Sequence, residues 1–298
     1  MPLVTRRQKQ TAYDEGHPDA LAESLQTEIQ IAMYRYLRED LGLPESVSRD
    51  RADAEISGRV GKAFCDACEN ASIRLAGNLV LDLGSGLGAL SEELARRHAR
   101  PVALEPGAAW RRLAAKRISA AGSGWTVGAV GESLPFSDNT FDLILSHQVL
   151  EHVENPAAVI REAYRVLKPG GYIFLAYENY LSFWEPHYRI RWLPLLPKPI
   201  GALYLKALGR NPRFLRESIT YTTFPAVRRT LLATGFRCMR IKIYDDALHS
   251  PKKNGLKWRL LKSLTLLGNT VPLAVLTSVD YLRRAFHTAA SECMQKPL

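Results

Sequence analysis

Apolar residues recur along this chain at two periods, and the alternation of the two gives its architecture. Leu21, Leu25, Ile29, Met33, Tyr36 and Leu37 fall three or four apart, which predicts a helix over 19–41 with one buried face. After a break at 43–48, Ile56, Val60, Phe64 and Cys68 predict a second helix over about 53–75. Short apolar runs then take over. Those at 79–83, 101–105, 125–130, 141–146 and 172–177 predict strands covered on both faces. Helical patterns at about 89–98, 108–120 and 156–167 lie among them, the last closed by Pro169-Gly-Gly. Such βα alternation with short loops implies parallel strands and right-handed crossovers. The expected class is α/β: a doubly wound, mostly parallel sheet with helices on both faces. A helix at 225–234 and a sixth strand at 237–244 extend it. No seventh strand is evident, and 245–298 reads as a helical extension.

Residues 178–224 interrupt the alternation with a stretch rich in aromatic and basic residues, including Phe183-Trp184-Glu-Pro-His187-Tyr-Arg-Ile-Arg-Trp192. An insertion after the fifth strand lies at the carboxyl edge of the sheet, where ligands bind. It is expected to be a helical substrate lid. The chain divides into N-terminal helices (1–76), a ligand-binding core (77–178), the lid (179–224), the rest of the core (225–244) and the extension (245–298).

At 298 residues the chain can bury a sizeable core, and 46% hydrophobic with 23% charged residues is a soluble globular balance. Four cysteines are too few for a disulfide framework. Cys65 and Cys68 lack the partners of a zinc set and are expected to be ordinary packed thiols. No apolar run follows the first residues, so no signal peptide and a cytoplasmic location are expected. The net charge of +10 is uneven: 1–180 carries −4 and 181–298 carries +14. Within 257–284, an uncharged run at 263–279 is flanked by Lys257, Arg259, Lys262, Arg283 and Arg284. Gly268 and Pro272 interrupt that run, which is short for a membrane span. A peripheral membrane contact through 257–284 is a candidate, against simple packing over the insertion.

The chemistry starts at 79–94, a strand, a glycine turn and a helix. Gly84, Gly86 and Gly88 let the backbone turn tightly and let a ligand approach. Asp82 stands two residues before the first glycine. That acid would repel a pyrophosphate and suits a cationic end such as an amino acid's ammonium group. Glu105, at the end of the second strand, is placed to chelate both hydroxyls of a ribose. An amino-acid end, a ribose and no phosphate describe S-adenosylmethionine. At these residues the sequence resembles the class I S-adenosylmethionine-dependent methyltransferases, in the branch of the ubiquinone and menaquinone enzymes. The resemblance covers roughly 79–177 and also rests on Glu132-Ser-Leu-Pro-Phe-Ser-Asp-Asn-Thr-Phe-Asp142, Leu150-Glu-His-Val and Arg165-Val-Leu-Lys-Pro-Gly-Gly171.

The resemblance implies a cofactor set of Asp82, Gly84, Ser85, Gly86, Gly88, Glu105, Pro106, Glu132, Ser133, Leu134, His147 and Gln148. Many relatives place an Asp four residues before the Leu134 position to reach the adenine; Val130 stands here, which leaves backbone groups or Glu132. Methyl transfer to a hydroxyl needs a positioned acceptor and a base, and His147, His152 and His187 are the candidates. Some relatives bind a divalent metal through Glu-x-x-Glu-His. This chain reads Gln148-Val-Leu-Glu151-His152, so the first carboxylate is missing and no metal is expected. The reading is O-methylation of a small or lipid- or glycan-linked acceptor. The alternatives are a nucleic-acid methyltransferase using the basic C-terminal region, for which no RNA-binding module is visible, and a non-catalytic cofactor-binding subunit. The acceptor's identity and the oligomeric state are not legible.

Overall fold

The computed structural model describes residues 18–238 and 289–298. Strands β1 (Leu79–Leu83), β2 (Arg100–Leu104), β3 (Trp125–Val127), β4 (Phe141–His147) and β5 (Leu167–Glu178) pair in parallel. β6 (Trp184–Glu185) and β7 (Ile190–Arg191) form a separate hairpin. β8 (Arg237–Cys238) and β9 (Ala289–Gln295) complete the main sheet in antiparallel sense. Its order is β3-β2-β1-β4-β5-β9-β8. The order reverses between β1 and β4, and the crevice outside their carboxyl ends is where an open α/β sheet binds ligands.

Alternate residues of each strand serve opposite faces. Val80, Leu143 and Phe174 pack with Phe64 of α3 (Arg59–Asn70) and Leu90 and Leu94 of α4 (Ala89–Arg96). Leu81, Ile144 and Ile173 pack with Ile160 of α6 (Pro156–Val166) and Leu231 of α9 (Phe224–Thr234). Both faces are thus covered, which explains why these strands are apolar without alternation. α5 (Ala108–Ala120) follows β2 and packs beside α4.

The N-terminal segment and the insertion share a further core. α1 (Pro18–Arg35) ends in a π turn, Tyr36–Asp40, whose Leu37 meets Leu41, Leu43, Tyr188, Trp192, Leu205 and Leu215. The insertion supplies the hairpin, α7 (Lys198–Ala207) and α8 (Arg213–Glu217) to this core. It is therefore mixed, where a wholly helical lid was expected.

Other expectations change in detail. The helix expected at 53–75 is two: α2 (Glu45–Ile56) begins within the expected break, and Gly58, at φ +61°, separates it from α3. Helix α6 is not stopped by Pro169-Gly-Gly. It ends at Val166, and the Pro-Gly-Gly lies inside β5, where a register shift between Phe141 and Leu143 absorbs it and Gly170 takes φ +79°. The strand expected at 125–130 stops at Val127. Of the strand expected at 237–244, β8 covers the first two residues and the rest lies outside the described residues.

The largest correction is β9. Within 245–298, read as helical, Ala289–Gln295 pairs along β5 from Glu178 to Tyr172. Without it β5 would present a row of unpaired backbone groups. Met294 enters the core, and Glu292 meets Arg228 of α9 at 2.9 Å. Residues 245–288 of the extension, including the candidate membrane segment 257–284, lie outside the described residues, as do 1–17. Among the described residues no helix is long and apolar enough to cross a membrane. Cys65 and Cys68 are buried free thiols, and burial pushes the latter up to about 12.

Candidate active site

One wall of the crevice is the turn after β1. Gly84, Gly86 and Gly88 have φ of +75°, +54° and +83°, a region that favours glycine. A Cβ on Gly84 would collide with Val149, and one on Gly88 would come within 2.9 Å of the Ala114 backbone in α5. Asp82 is buried on the α4 side, and Ser91 donates its hydroxyl to Asp82 Oδ2 at 2.6 Å. Burial pushes its carboxyl up to about 7 despite that bond. Glu105 follows β2 and reaches across to the turn: its Oε2 accepts from the Gly86 amide at 3.1 Å and its Oε1 from Gly107 at 2.7 Å. Desolvation raises it on balance. The carboxylate therefore points into the crevice. Pro106 beside it is exposed, and its carbonyl accepts from Arg111 at 3.0 Å.

The opposite wall comes from the end of β4, the end of β5 and the insertion. Gln148, at φ +54°, donates its side-chain amide to Glu178 Oε1 at the tip of β5. A short 3-10 turn, Leu150–His152, carries Glu151, which is fully buried, and His152, which is exposed on one side. Thr220 of the insertion donates its amide to the Glu151 carbonyl at 2.7 Å. His187 lies in the hairpin loop, buried, with its Nδ1 2.9 Å from Glu185 Oε1. That loop is pinned from α2, where Arg51 Nη2 donates to the Pro186 carbonyl at 2.9 Å. The His152 and His187 rings are 5.1 Å apart.

An aromatic row joins the two walls. Trp110 of α5 lies over Gly86, 3.5 Å from where a Cβ would sit. Tyr36 stands edge-on to Trp110 at 5.3 Å and to Phe214 at 5.9 Å. Phe214 packs on His187 at 5.4 Å and on His152 at 5.6 Å. The cap thus places apolar rings along the path from the glycine turn to the histidines.

Electrostatics separate the three candidate bases. His147 packs edge-on against Phe64 at 5.3 Å, away from the other two rings, and burial pushes it down to about 4. It is a neutral packing group facing α3 and does not join the cluster. His152 is also pushed down to about 4, first by desolvation under the packed rings and then by His187. Burial pulls His187 down as well, but its bond to Glu185 and the charges of Glu185, Glu178 and Glu151 raise it on balance. Burial raises both Glu151 and Glu178, and each repels the other or a neighbouring acid.

The Glu132-Ser133-Leu134 segment, expected near the adenine, makes these contacts within the protein. Glu132 Oε1 accepts from the amides of Glu154 and Asn155 at 3.0 and 3.4 Å, ahead of α6. Leu134 is a core residue whose amide donates to Glu162 Oε2 at 2.8 Å. Ser133 is exposed, and its amide donates to the Val130 carbonyl. Glu178, Glu185, Trp110 and Phe214 were not among the expected site residues. The one local signal was Glu178 at the carboxyl end of a predicted strand.

Comparison with known proteins matches residues 81–175 to a family model described as a methyltransferase domain. The ubiquinone biosynthesis O-methyltransferase of Pseudomonas aeruginosa (strain UCBPP-PA14) is 39% identical over 112 residues, 35% of this chain and 46% of that protein. That of Pseudomonas fluorescens is 37% identical over 114 residues, 36% and 47% of the two chains. The match thus spans about half the length of these curated relatives. A putative sarcosine dimethylglycine methyltransferase from Galdieria sulphuraria superposes with a TM-score of 0.51 at 15% identity, over 82% of this chain and 88% of that one, a likeness of fold.

Residues 81–175 are similar to a methyltransferase domain, and S-adenosylmethionine is the cofactor that such a domain implies.

The turn of this methyltransferase domain fits that cofactor. The Ser85 hydroxyl oxygen is sealed from solvent without a partner, an orphan beside the glycines that a ligand would satisfy. The acid pair Asp82 and Glu105 suits an ammonium group and a diol.

Proposed function

We propose that the protein transfers a methyl group from S-adenosylmethionine to a hydroxyl oxygen of a small or lipid- or glycan-linked acceptor. Asp82 would hold the ammonium group and Glu105 the ribose hydroxyls, with Ser85 and the glycine turn shaping the pocket. The cofactor supplies a methyl carbon made electrophilic by a positive sulfur. The rest is positioning and removal of one proton.

The observation that carries this reading is the buried Glu185–His187 pair at the acceptor wall. Glu185 is fully buried and also accepts from the Tyr188 amide, so its geometry is fixed. A carboxylate on Nδ1 sets the tautomer that leaves Nε2 with a lone pair. His187 can then take the acceptor's proton at Nε2 as the oxygen's electron pair bonds to carbon and the carbon–sulfur pair stays with sulfur. The rings of Phe214 and Tyr36 keep water from competing. The O-methyltransferase activity for which the Pseudomonas relatives are named supports oxygen as the acceptor atom.

The test incubates purified protein with fractionated extract and S-adenosylmethionine bearing a trideuterated methyl. Label in a lipid or glycan fraction that resists base treatment as an ether supports the proposal. Label confined to nucleic acid, or none anywhere while S-adenosylhomocysteine binds tightly, overturns it.

A further inference from the structure

The acceptor wall buries more acid than it balances. Glu151, Glu178 and Glu185 are all buried there. Elsewhere in the fold buried acids are matched by arginine: Arg117 bridges Glu55 and Glu92, and Arg228 meets Glu292. Among the described residues none of the three wall acids pairs with lysine or arginine, and Glu185 alone has a histidine. Arg51 acts on Glu178 and Glu185 only at longer range, with its Nη2 on the Pro186 carbonyl. Glu185 is satisfied by His187, the Tyr180 hydroxyl and the Tyr188 amide. Glu178 Oε1 accepts from Gln148. Glu178 Oε2 and both oxygens of Glu151 remain, sealed from solvent and without a partner. A buried carboxylate is ordinarily paired with a positive group. The insertion holds these two acids in place, since Thr220 donates its amide to the Glu151 carbonyl and Thr222 its hydroxyl to the Glu178 carbonyl. The Glu151 charge in turn raises Glu178.

We propose that Glu151 and Glu178 bind an ammonium group of the acceptor, which is a vicinal amino alcohol such as a 2-amino sugar or an amino-alcohol lipid; this rests on the methyl transfer to oxygen proposed above. An ammonium carries three N–H donors and no acceptor, which matches three vacant carboxylate oxygens. A Glu151 oxygen and a His187 ring nitrogen lie within 4.8 Å of each other. A hydroxyl on His187 and an ammonium on Glu151 then sit on neighbouring carbons of the acceptor. The rings of Tyr36 and Phe214 exclude water that would weaken the pairing of charges. The acids also decide which atom reacts. An ammonium held by carboxylates keeps its proton, so its nitrogen has no lone pair to offer the methyl carbon. The hydroxyl oxygen forms the new bond to carbon, the carbon–sulfur pair stays with sulfur, and the hydroxyl proton goes to His187 Nε2.

The test uses the full chain and extract separated into lipid and glycan fractions. Half of each fraction is N-acetylated with acetic anhydride, which removes the charge from amines and leaves hydroxyls. All are incubated with S-adenosylmethionine bearing a trideuterated methyl. Label should enter one untreated fraction and fall about tenfold or more after acetylation. The fraction that takes it distinguishes an amino sugar from an amino-alcohol lipid. Glu151→Gln and Glu178→Gln should each raise the amount of that fraction needed for half-maximal labelling about tenfold, with S-adenosylhomocysteine affinity within about twofold as the check on folding. The acetylation comparison uses wild-type protein and stands whether or not the buried variants fold. Equal labelling with and without acetylation overturns the ammonium site and leaves O-methylation, as does an unchanged half-maximal amount in both folded variants. Label on nitrogen overturns both, since the amine then faced the methyl carbon. No label anywhere while S-adenosylhomocysteine binds tightly overturns the methyl-transfer reading and the ammonium site with it.

Discussion

The turn after β1 carries its carboxylate, its hydroxyl and its glycines on one continuous stretch, 82–88. The acceptor wall draws Glu151, Glu178, Glu185 and His187 from a 3-10 turn, a strand end and a hairpin. On the first wall the carboxylates have partners nearby: Asp82 has Ser91, and Glu105 has the amides of Gly86 and Gly107. On the second, three carboxylate oxygens are buried without any among the described residues. The cofactor wall is a local backbone structure, stable as folded and general in use. The second wall is a set of buried acids and a buried histidine held by a second core.

The largest effect should fall on the second wall alone. His187→Asn should lower methyl transfer by about 10²–10⁴-fold while leaving S-adenosylhomocysteine affinity within about twofold. Equal loss of both would erase the distinction between the walls. Calorimetry beside a labelled-methyl assay reads the two quantities separately.

Next is Gly84→Ala. The left-handed backbone and the collision with Val149 should destabilise the protein by about 1–3 kcal/mol and weaken cofactor binding, read by thermal melting and calorimetry. A neutral result would mean the turn relaxes freely.

Asp82→Asn should cost about 1.5–3 kcal/mol in cofactor affinity near pH 8. Burial holds the Asp82 carboxyl near 7, so below that pH it is protonated and cannot pair with an ammonium. Wild-type affinity should therefore rise from pH 6 to 8, and that of the Asn variant should stay flat. Stability runs the other way. With a folded value raised above the unfolded one, the Asp82 contribution is full below about pH 4 and is lost as pH rises through 7. Ligand-free wild type should thus lose stability relative to Asp82→Asn between pH 5 and 8 in chemical denaturation; the opposite trend would refute the burial argument.

The smallest effect is expected from Glu105→Gln, at a residue that is only half buried. Glu105→Ala should weaken cofactor binding by about 1.5–3 kcal/mol, and Glu105→Gln by less, since one acceptor oxygen survives. Acceptor methylation at saturating cofactor should fall little in either.

The sequence alone determined the doubly wound sheet and the glycine turn with its acid, because both are written in neighbouring residues. The apolar runs of β1, β2, β4 and β5 needed no tertiary knowledge to find, nor did the spacing of Asp82 and three glycines. Glu105 was legible for the same reason, since a strand's end fixes where its next side chain lies. Tertiary structure decided the rest. Ala289–Gln295 has no strand pattern of its own and became one because the edge of β5 needed a partner. His147 packs edge-on to Phe64, and Glu132 accepts from the amides ahead of α6. Glu151 and His187 met only because the insertion folded onto Leu37, Leu41 and Leu43. Contacts between distant segments follow from packing, and no local period in a sequence records them.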